Sequence, residues 1–423
     1  MLAIFDHIKE KCPSGIPICQ IGDLFDQLSG MSGVTNKWAD EGNCKFIDYM
    51  NAYTHLKIDV SALNYATVKS FNQTVLKKGD ILFTSASETP DECALSSVIE
   101  EEIDDNVFLD DHLFGLRLKP DREGDNLPSF YQYVFRSYSF RKQIQKAVRG
   151  ATRYYVSKSD FMRLTVPVPP LSIQKEIVET LDAFTDLTDA LNKELEIRKK
   201  QYQFYIDEYF GNDLEEMIFQ SSERGISIKT LSDLGTLTRG KRFVHADAVD
   251  DGIPCVHYGE LYTYYGIWTD KTKSHVRSEL APKLRYANKN DVIIVGAGEN
   301  NVDIGVGVAY LGDEPVAIHD ACYFLQHSIN PKYISYYLRT HVYHNQIKKY
   351  VSSGKICAIS ADGIGRAKLP VPSIEEQNRI VDVFDTFDVL CNDSELGILG
   401  EINLRSKQYE YYRDEIMSYV LSL

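Results

Sequence analysis

The chain has 423 residues, 43% of them hydrophobic, with 27 tyrosines and a formal net charge of −15. That length exceeds the usual single domain and the apolar content is enough for packed cores, so bulk disorder is excluded. No apolar run approaches the roughly 18–20 residues of a membrane span, and the N-terminus lacks a basic, signal-like start, so a cytoplasmic protein is expected.

Residues 1–170 are expected to form a first globular part. Short apolar runs bounded by Gly, Asp and Asn predict strands at 81–84 and 113–118, and the Tyr-rich stretch 130–146 reads as helical. The run Glu100–Asp105 holds five acids, and this part carries a net −4. Residues 171–223 follow a Pro-rich strand end, Val166-Pro-Val-Pro-Pro170, and predict a long helix with Ser172 at its N-cap. Its apolar positions step by four and three through Ile177, Leu181, Phe184, Leu191, Leu195, Tyr202, Tyr205 and Tyr209, broken at Thr188 and Arg198, as in a coiled-coil seam.

Residues 224–370 predict a second globular part, with strands at 292–296, 305–311 and 322–326 and helix at 332–350. Residues 371–423 predict a second long helix after Leu369-Pro-Val-Pro372, with Ser373 at its N-cap. Its seam runs through Ile380, Phe384, Phe387, Cys391, Ile402, Arg405, Tyr409, Tyr412 and Ile416. Helices of about 40 residues would span roughly 60 Å.

The second half repeats the first. Pro167, Gln174, Ile177 and Phe184 match Pro370, Gln377, Ile380 and Phe387 at an offset of 203. Arg198, Lys200, Gln201, Tyr202, Tyr205, Asp207 and Glu208 match Arg405, Lys407, Gln408, Tyr409, Tyr412, Asp414 and Glu415 at an offset of 207. The four extra residues fall near Leu396-Gly-Ile-Leu-Gly400, where two glycines predict a break. Such a repeat sets the architecture: an α+β chain of two globular parts and two long helices, related by an internal pseudo-twofold and paired as an antiparallel coiled coil. The aromatic positions Tyr202, Tyr205, Tyr409 and Tyr412 are expected to pack between helices.

Charge follows the same division. Residues 171–223 and 373–423 carry net charges of −8 and −7, the whole excess of the chain. Residues 224–372 carry +4. The total therefore does not exclude a polyanion bound at a local patch.

Catalytic motifs are scarce. There is no (N/D)-P-P-(Y/F) methyltransferase motif, Walker A or H-E-x-x-H sequence. The Gly-rich Gly296–Gly307 segment follows a predicted strand and reads as a hairpin, because no helix pattern follows it. The eight cysteines show no metal-ligand spacing, so reduced, mostly buried thiols are expected and no metal site.

The order of parts, with P-x-P…Q…I-V…(L/F)-D-x-F at the start of both helices, resembles the specificity (S) subunit of Type I restriction-modification systems, over essentially the whole chain. The resemblance implies a non-catalytic DNA-recognition subunit. Residues 1–170 and 224–370 would be target recognition domains, each reading half of a bipartite, asymmetric site in double-stranded DNA. The helical segments 171–223 and 371–423 would set the gap and dock two methyltransferase subunits, with restriction subunits joining the complex. S-adenosylmethionine, ATP and magnesium would belong to those partners, leaving no cofactor in this chain.

Side-chain chemistry suited to phosphates and base edges marks Lys37, Tyr49, Asn51, Lys69, Arg149 and Arg153 in the first globular part. In the second it marks Arg239, Lys241, Arg242, Tyr258, Glu260, Asn300, Asn301 and Lys355. Two other classes stand beside this reading: a sequence-specific nuclease or fused methyltransferase, revived by metal-dependent cleavage, and a structural coiled-coil adaptor, excluded by salt-sensitive duplex binding.

Overall fold

The computed structural model describes residues 2–70, 73–352 and 354–423. The chain forms two compact units, one of residues 1–192 with 401–423, the other of residues 193–400. Each unit therefore combines one globular part with stretches of both repeated helices.

In the first unit, Phe25–Ser29, Leu113–Leu118, Ile81–Thr84 and Ser96–Val98 form an antiparallel sheet in that order. The predicted strands 81–84 and 113–118 are both present, and almost every side chain in them is buried. A second sheet, Val34–Ala39, Asn64–Val68, Cys44–Ile47 and Val107–Leu109, escapes local pattern reading. Its outer strand is half polar and slips register twice, with Trp38 at φ 65°.

The second unit repeats the plan. Gly235–Arg239, Cys322–His327, Val292–Val295, Gly307–Tyr310 and Trp268–Thr269 form one sheet. Ala248–Val249, Ser274–Val276, Ile253–Val256, Val316–Ile318 and Tyr286–Ala287 form the other. The expected hairpin is present as Val292–Val295 against Gly307–Tyr310. Between them Ala297–Gly298 leaves to pair with Cys357–Ala358.

Both Tyr-rich helical stretches are broken by one hydroxyl. Ser137 donates to Val134 O at 2.7 Å and caps Phe140 N at 3.4 Å, so Pro128–Arg136 ends and Tyr138–Ala147 begins. Thr340 does the same between Tyr337 O (2.7 Å) and Tyr343 N (3.2 Å). Each hydroxyl satisfies a carbonyl at one helix end and an amide at the next.

The first long helix runs unbroken over Leu171–Phe210. Ser172 lies inside its first turn, not at its N-cap, because Pro170 takes the register place of Ser373 and its carbonyl accepts from Ile173 and Gln174. Ser373 does cap the second, accepting from Glu376 N at 3.3 Å. Gly211 (φ 86°) separates the first helix from Leu214–Glu223.

The second long helix is two pieces, Ile374–Asn392 and Gly397–Ser422. Asp393 ends the first piece by accepting from Glu395 N and Leu396 N at 2.8 and 2.7 Å. Gly397 has φ 66°, and a Cβ there would stand 2.5 Å from Val389 O. Only glycine meets both demands cheaply.

Within the first unit, Ile173, Ile177 and Leu181 share a core with Tyr409, Ile416 and Val420, and Phe184 packs on Tyr412 at 5.4 Å. Within the second, Tyr202 and Tyr205 meet Phe387 at 5.9 and 5.4 Å, and Tyr209 meets Phe384 at 6.1 Å. Tyr409 also packs on Tyr133 of its globular part at 6.2 Å. All eight cysteines are free, and all but the half-buried Cys19 are buried. Among the described residues no helix is long and apolar enough to cross a membrane.

Candidate nucleic-acid interface

The repeated motif residues fasten each globular part to its helix. Gln174 accepts Leu127 N at 2.8 Å and donates to Pro169 O at 2.8 Å and Asp125 O at 3.0 Å. Gln377 accepts Asn330 N and donates to Pro372 O, both at 2.9 Å. One buried amide thus closes the loop before a Tyr-rich helix onto the start of the long helix. Two turns further on, Asp182 accepts from the Tyr133 hydroxyl, while Asp385 accepts from Tyr336 at 2.8 Å and from Lys332 at 2.7 Å. Burial raises the pKa of both tyrosines, so they are donors at neutral pH.

On the second unit the turn after Gly235–Arg239 is pressed against the end of another strand. A Cβ on Gly240 would lie 2.2 Å from Ile318 O, and Lys241 N donates to Ile318 O at 2.8 Å. The Lys241 and Arg242 side chains are exposed, and neither forms an ion pair among the described residues. Arg239 donates to Asp320 O at 2.7 Å, and Arg285 donates to Arg239 O at 2.8 Å. Phe243 anchors the turn from below, its ring 4.8 Å from His257 and 5.0 Å from His319. Burial pushes both imidazoles below their ordinary pKa, so they add no charge at neutral pH. His319 accepts Ala321 N through Nδ1, leaving Nε2–H to donate to Phe243 O. Tyr258 lies over His319 at 5.9 Å.

The structure thus brings Arg239, Lys241, Arg242 and Tyr258 together and adds Arg285. No local sequence signal marks Arg285, which lies 46 residues from its acceptor. Glu260 is turned inward instead, accepting His257 N at 3.0 Å and the Ser274 hydroxyl.

A two-stranded ribbon forms a second rim on each unit. In the second, Ala297 pairs with Ala358 and Gly298 with Cys357, and exposed Asn300 and Lys355 lie two residues beyond the paired ends. Asn301 is exposed beside Asn300. In the first, Tyr154 pairs with Ser87 and Tyr155 with Ala86, and Arg149 bridges Tyr155 at the loop base. Arg149 is ion-paired to Asp160 at 2.6 Å, while Arg153 is exposed.

The other first-unit candidates scatter. Lys37 is clamped between Asp110 (3.0 Å) and Asp111 (2.7 Å), which hold its pKa up against burial. Tyr49 stacks on Tyr53 at 5.7 Å and donates to Ala86 O at 3.1 Å. Lys69 is exposed. Asn51 needs correction as a DNA-contact candidate: it is 5% exposed, and its amide donates to Asp59 O and accepts Asp59 N at 2.8 and 3.0 Å. Asp110, Asp111 and His112 are the one group with metal-ligand proximity among the described residues. The Lys37 ammonium already sits on both carboxylates.

The long helices carry a matched outer stripe that sequence reasoning missed. Ile197 and Leu404 are 59% and 60% exposed, and Phe204 and Tyr411 are each 60% exposed. Lys200 and Lys407 lie three residues after the aliphatic, and Glu208 and Glu415 four after the aromatic, all exposed. Single exposed apolar side chains are ordinary; the same pair kept at the same register in both repeats is not.

The chain is similar to known proteins. A family model described as Type I restriction modification DNA specificity domain matches residues 13–198 and 223–404. The chain is similar to the EcoR124I/EcoR124II type I restriction enzyme specificity subunit of Escherichia coli, 30% identical over 286 residues, which cover 63% of this chain and 66% of that protein. It is also 28% identical over 290 residues to a putative type I restriction enzyme specificity subunit of Haemophilus influenzae, covering 64% of this chain and 68% of that one. The chain thus spans about two thirds of the length of these relatives. A solved chain from work on complex assembly and conformational transition of the type I R-M system superposes with a TM-score of 0.61 at 16% identity, covering 97% of this chain and 98% of that one. That likeness is one of fold.

Proposed function

The chain belongs to the Type I restriction modification DNA specificity family, and from that premise we propose that it is the DNA-recognition subunit of a Type I restriction-modification complex, reading a bipartite, asymmetric target. The observation that carries this reading is the duplicated rim: each unit presents the turn after its first sheet strand and a short ribbon on a globular part fastened to a long helix. Lys241, Arg242, Arg239, Arg285, Tyr258, Asn300, Asn301 and Lys355 supply phosphate and base-edge chemistry on one unit. Exposed Arg153 and Lys69 offer the same chemistry on the other, where Arg149 and Lys37 are already paired with carboxylates. Two readers joined by paired helices would contact two groove segments and skip the bases between them.

The matched stripes Ile197–Lys200–Phe204–Glu208 and Leu404–Lys407–Tyr411–Glu415 favour two copies of one partner, one on each repeat. In this family setting that partner is a methyltransferase subunit, with restriction subunits joining the assembly. The acidic helices, at −8 and −7, suit a basic partner surface. Chemistry then resides in the partners, which hold S-adenosylmethionine, ATP and magnesium; this chain selects the site. The nuclease alternative needs a metal site, and the Asp110–Asp111–His112 group is a poor one with Lys37 across both carboxylates.

Methylome sequencing of cells that express this chain with its methyltransferase partner tests the reading. A motif of two specific halves separated by a fixed gap is expected. Methylation with no motif, or a single continuous motif, overturns it.

A further inference from the structure

The two units share one turn, which is cationic in the second and uncharged in the first. A Cβ on Gly30 would lie 2.5 Å from Asp110 O, as one on Gly240 would lie 2.2 Å from Ile318 O. Met31 N donates to Leu109 O at 2.7 Å, as Lys241 N donates to Ile318 O at 2.8 Å. The turn thus docks on the same strand end in each unit; Met31 takes the backbone place of Lys241 with its side chain buried in a first-unit core cluster, and exposed Ser32 stands where Arg242 stands.

Around the second-unit turn, Arg239 and Arg285 donate to main-chain carbonyls, Lys241 and Arg242 are exposed, and of the adjacent acids Asp247 pairs with Arg277 while Asp320 lies beside His319, which is neutral at pH 7. Around the first, Lys37 faces two acids, Asp110 and Asp111. The first unit also pairs three further lysines with its own acidic run. Lys57 pairs with Glu100 at 2.9 Å, Lys45 with Asp104 at 2.8 Å and Lys78 with Glu102 at 3.6 Å. The totals agree, at −4 for residues 1–170 and +4 for residues 224–372.

We propose that the two units hold DNA unequally: the Arg239–Arg242 turn and Arg285 of the second unit supply most of the salt-dependent grip on the phosphate backbone. The first unit contributes little counterion release and acts by contacts at base edges, where carboxylates such as Asp111 suit the amino group of cytosine. This inference rests on the DNA-recognition reading. Its physical basis is that each phosphate neutralised by a free cation releases counterions, whereas a lysine already paired to a carboxylate has little charge left to exchange.

The test uses the full chain assembled with its methyltransferase partner and a random-sequence duplex of about 40 base pairs, with Kd measured across a range of KCl concentrations. Partner contacts are common to all variants and cancel in the differences. The double variant Lys241→Ala/Arg242→Ala is expected to lower the slope of log Kd against log salt by about 2. The first-unit pair Lys69→Ala/Arg153→Ala is expected to lower it by less than about 1. A gain variant, Ser32→Arg at an exposed position, places a second-unit cation on the first-unit turn and is expected to steepen the slope, which misfolding does not imitate. Equal losses from the two pairs, or no gain from the third variant, overturn the unequal division and leave the recognition reading standing. Absence of any duplex binding by the unaltered complex overturns both.

Discussion

Gln377 has the chemistry of a base-reading side chain and none of the exposure. Its amide is buried, accepting Asn330 N and donating to Pro372 O at 2.9 Å. Removing it leaves an N–H and a carbonyl without partners away from water, at a cost of about 2–4 kcal/mol. Gln377→Ala is therefore expected to lower the stability of the second unit by about that much, read as a shifted urea midpoint at unchanged slope. A loss below about 0.5 kcal/mol would mean that water replaces the amide at this joint. Asn51 teaches the same lesson from the other side. Residue type marked it as a reader, whereas its environment makes it a clamp on Asp59. Lys37 is of the right type and near the surface, but two carboxylates hold it.

At the scale of elements, the apolar strands were legible because burial on both faces demands continuous β-branched and aromatic runs. Ile81–Thr84 and Val292–Val295 are buried throughout. The second sheets were not legible. Val34–Ala39 alternates poorly and is bulged, and Ala248–Val249 is too short to show a period. The break in the second long helix was legible from its glycines, and the structure sets it at residues 393–396, where Asp393 ends one piece and Gly397 begins the next. Four residues are about one helical turn. Deleting Asp393–Leu396 is expected to change the number of unread bases between the two half-sites in the methylome. An unchanged gap would show that this interruption does not bear on spacing.

At the scale of the molecule, the stripes on the two long helices predict stoichiometry. Ile197 and Phe204 on one repeat and Leu404 and Tyr411 on the other are equally exposed, so each repeat is expected to hold one copy of the same partner. Ile197→Asp/Phe204→Asp should leave a complex with one methyltransferase subunit, and adding Leu404→Asp/Tyr411→Asp should leave none, as counted by native mass spectrometry. Two copies retained in the first variant would place docking elsewhere on the chain.

Sequence alone determined that the protein is a duplication. The motif at offset 203 and the tyrosines at offset 207 require two copies of one plan, because a repeat of that length specifies the same packing twice. It also determined the long helices and the buried strands, whose periodicities are local properties of the chain. Tertiary structure alone decided which candidate cations are held by acids and which are exposed. Lys37 is neutralised by carboxylates 73 and 74 residues away, and Arg285 joins Arg239 across 46 residues. Charge pairing depends on distance in space, and no local window of sequence contains it.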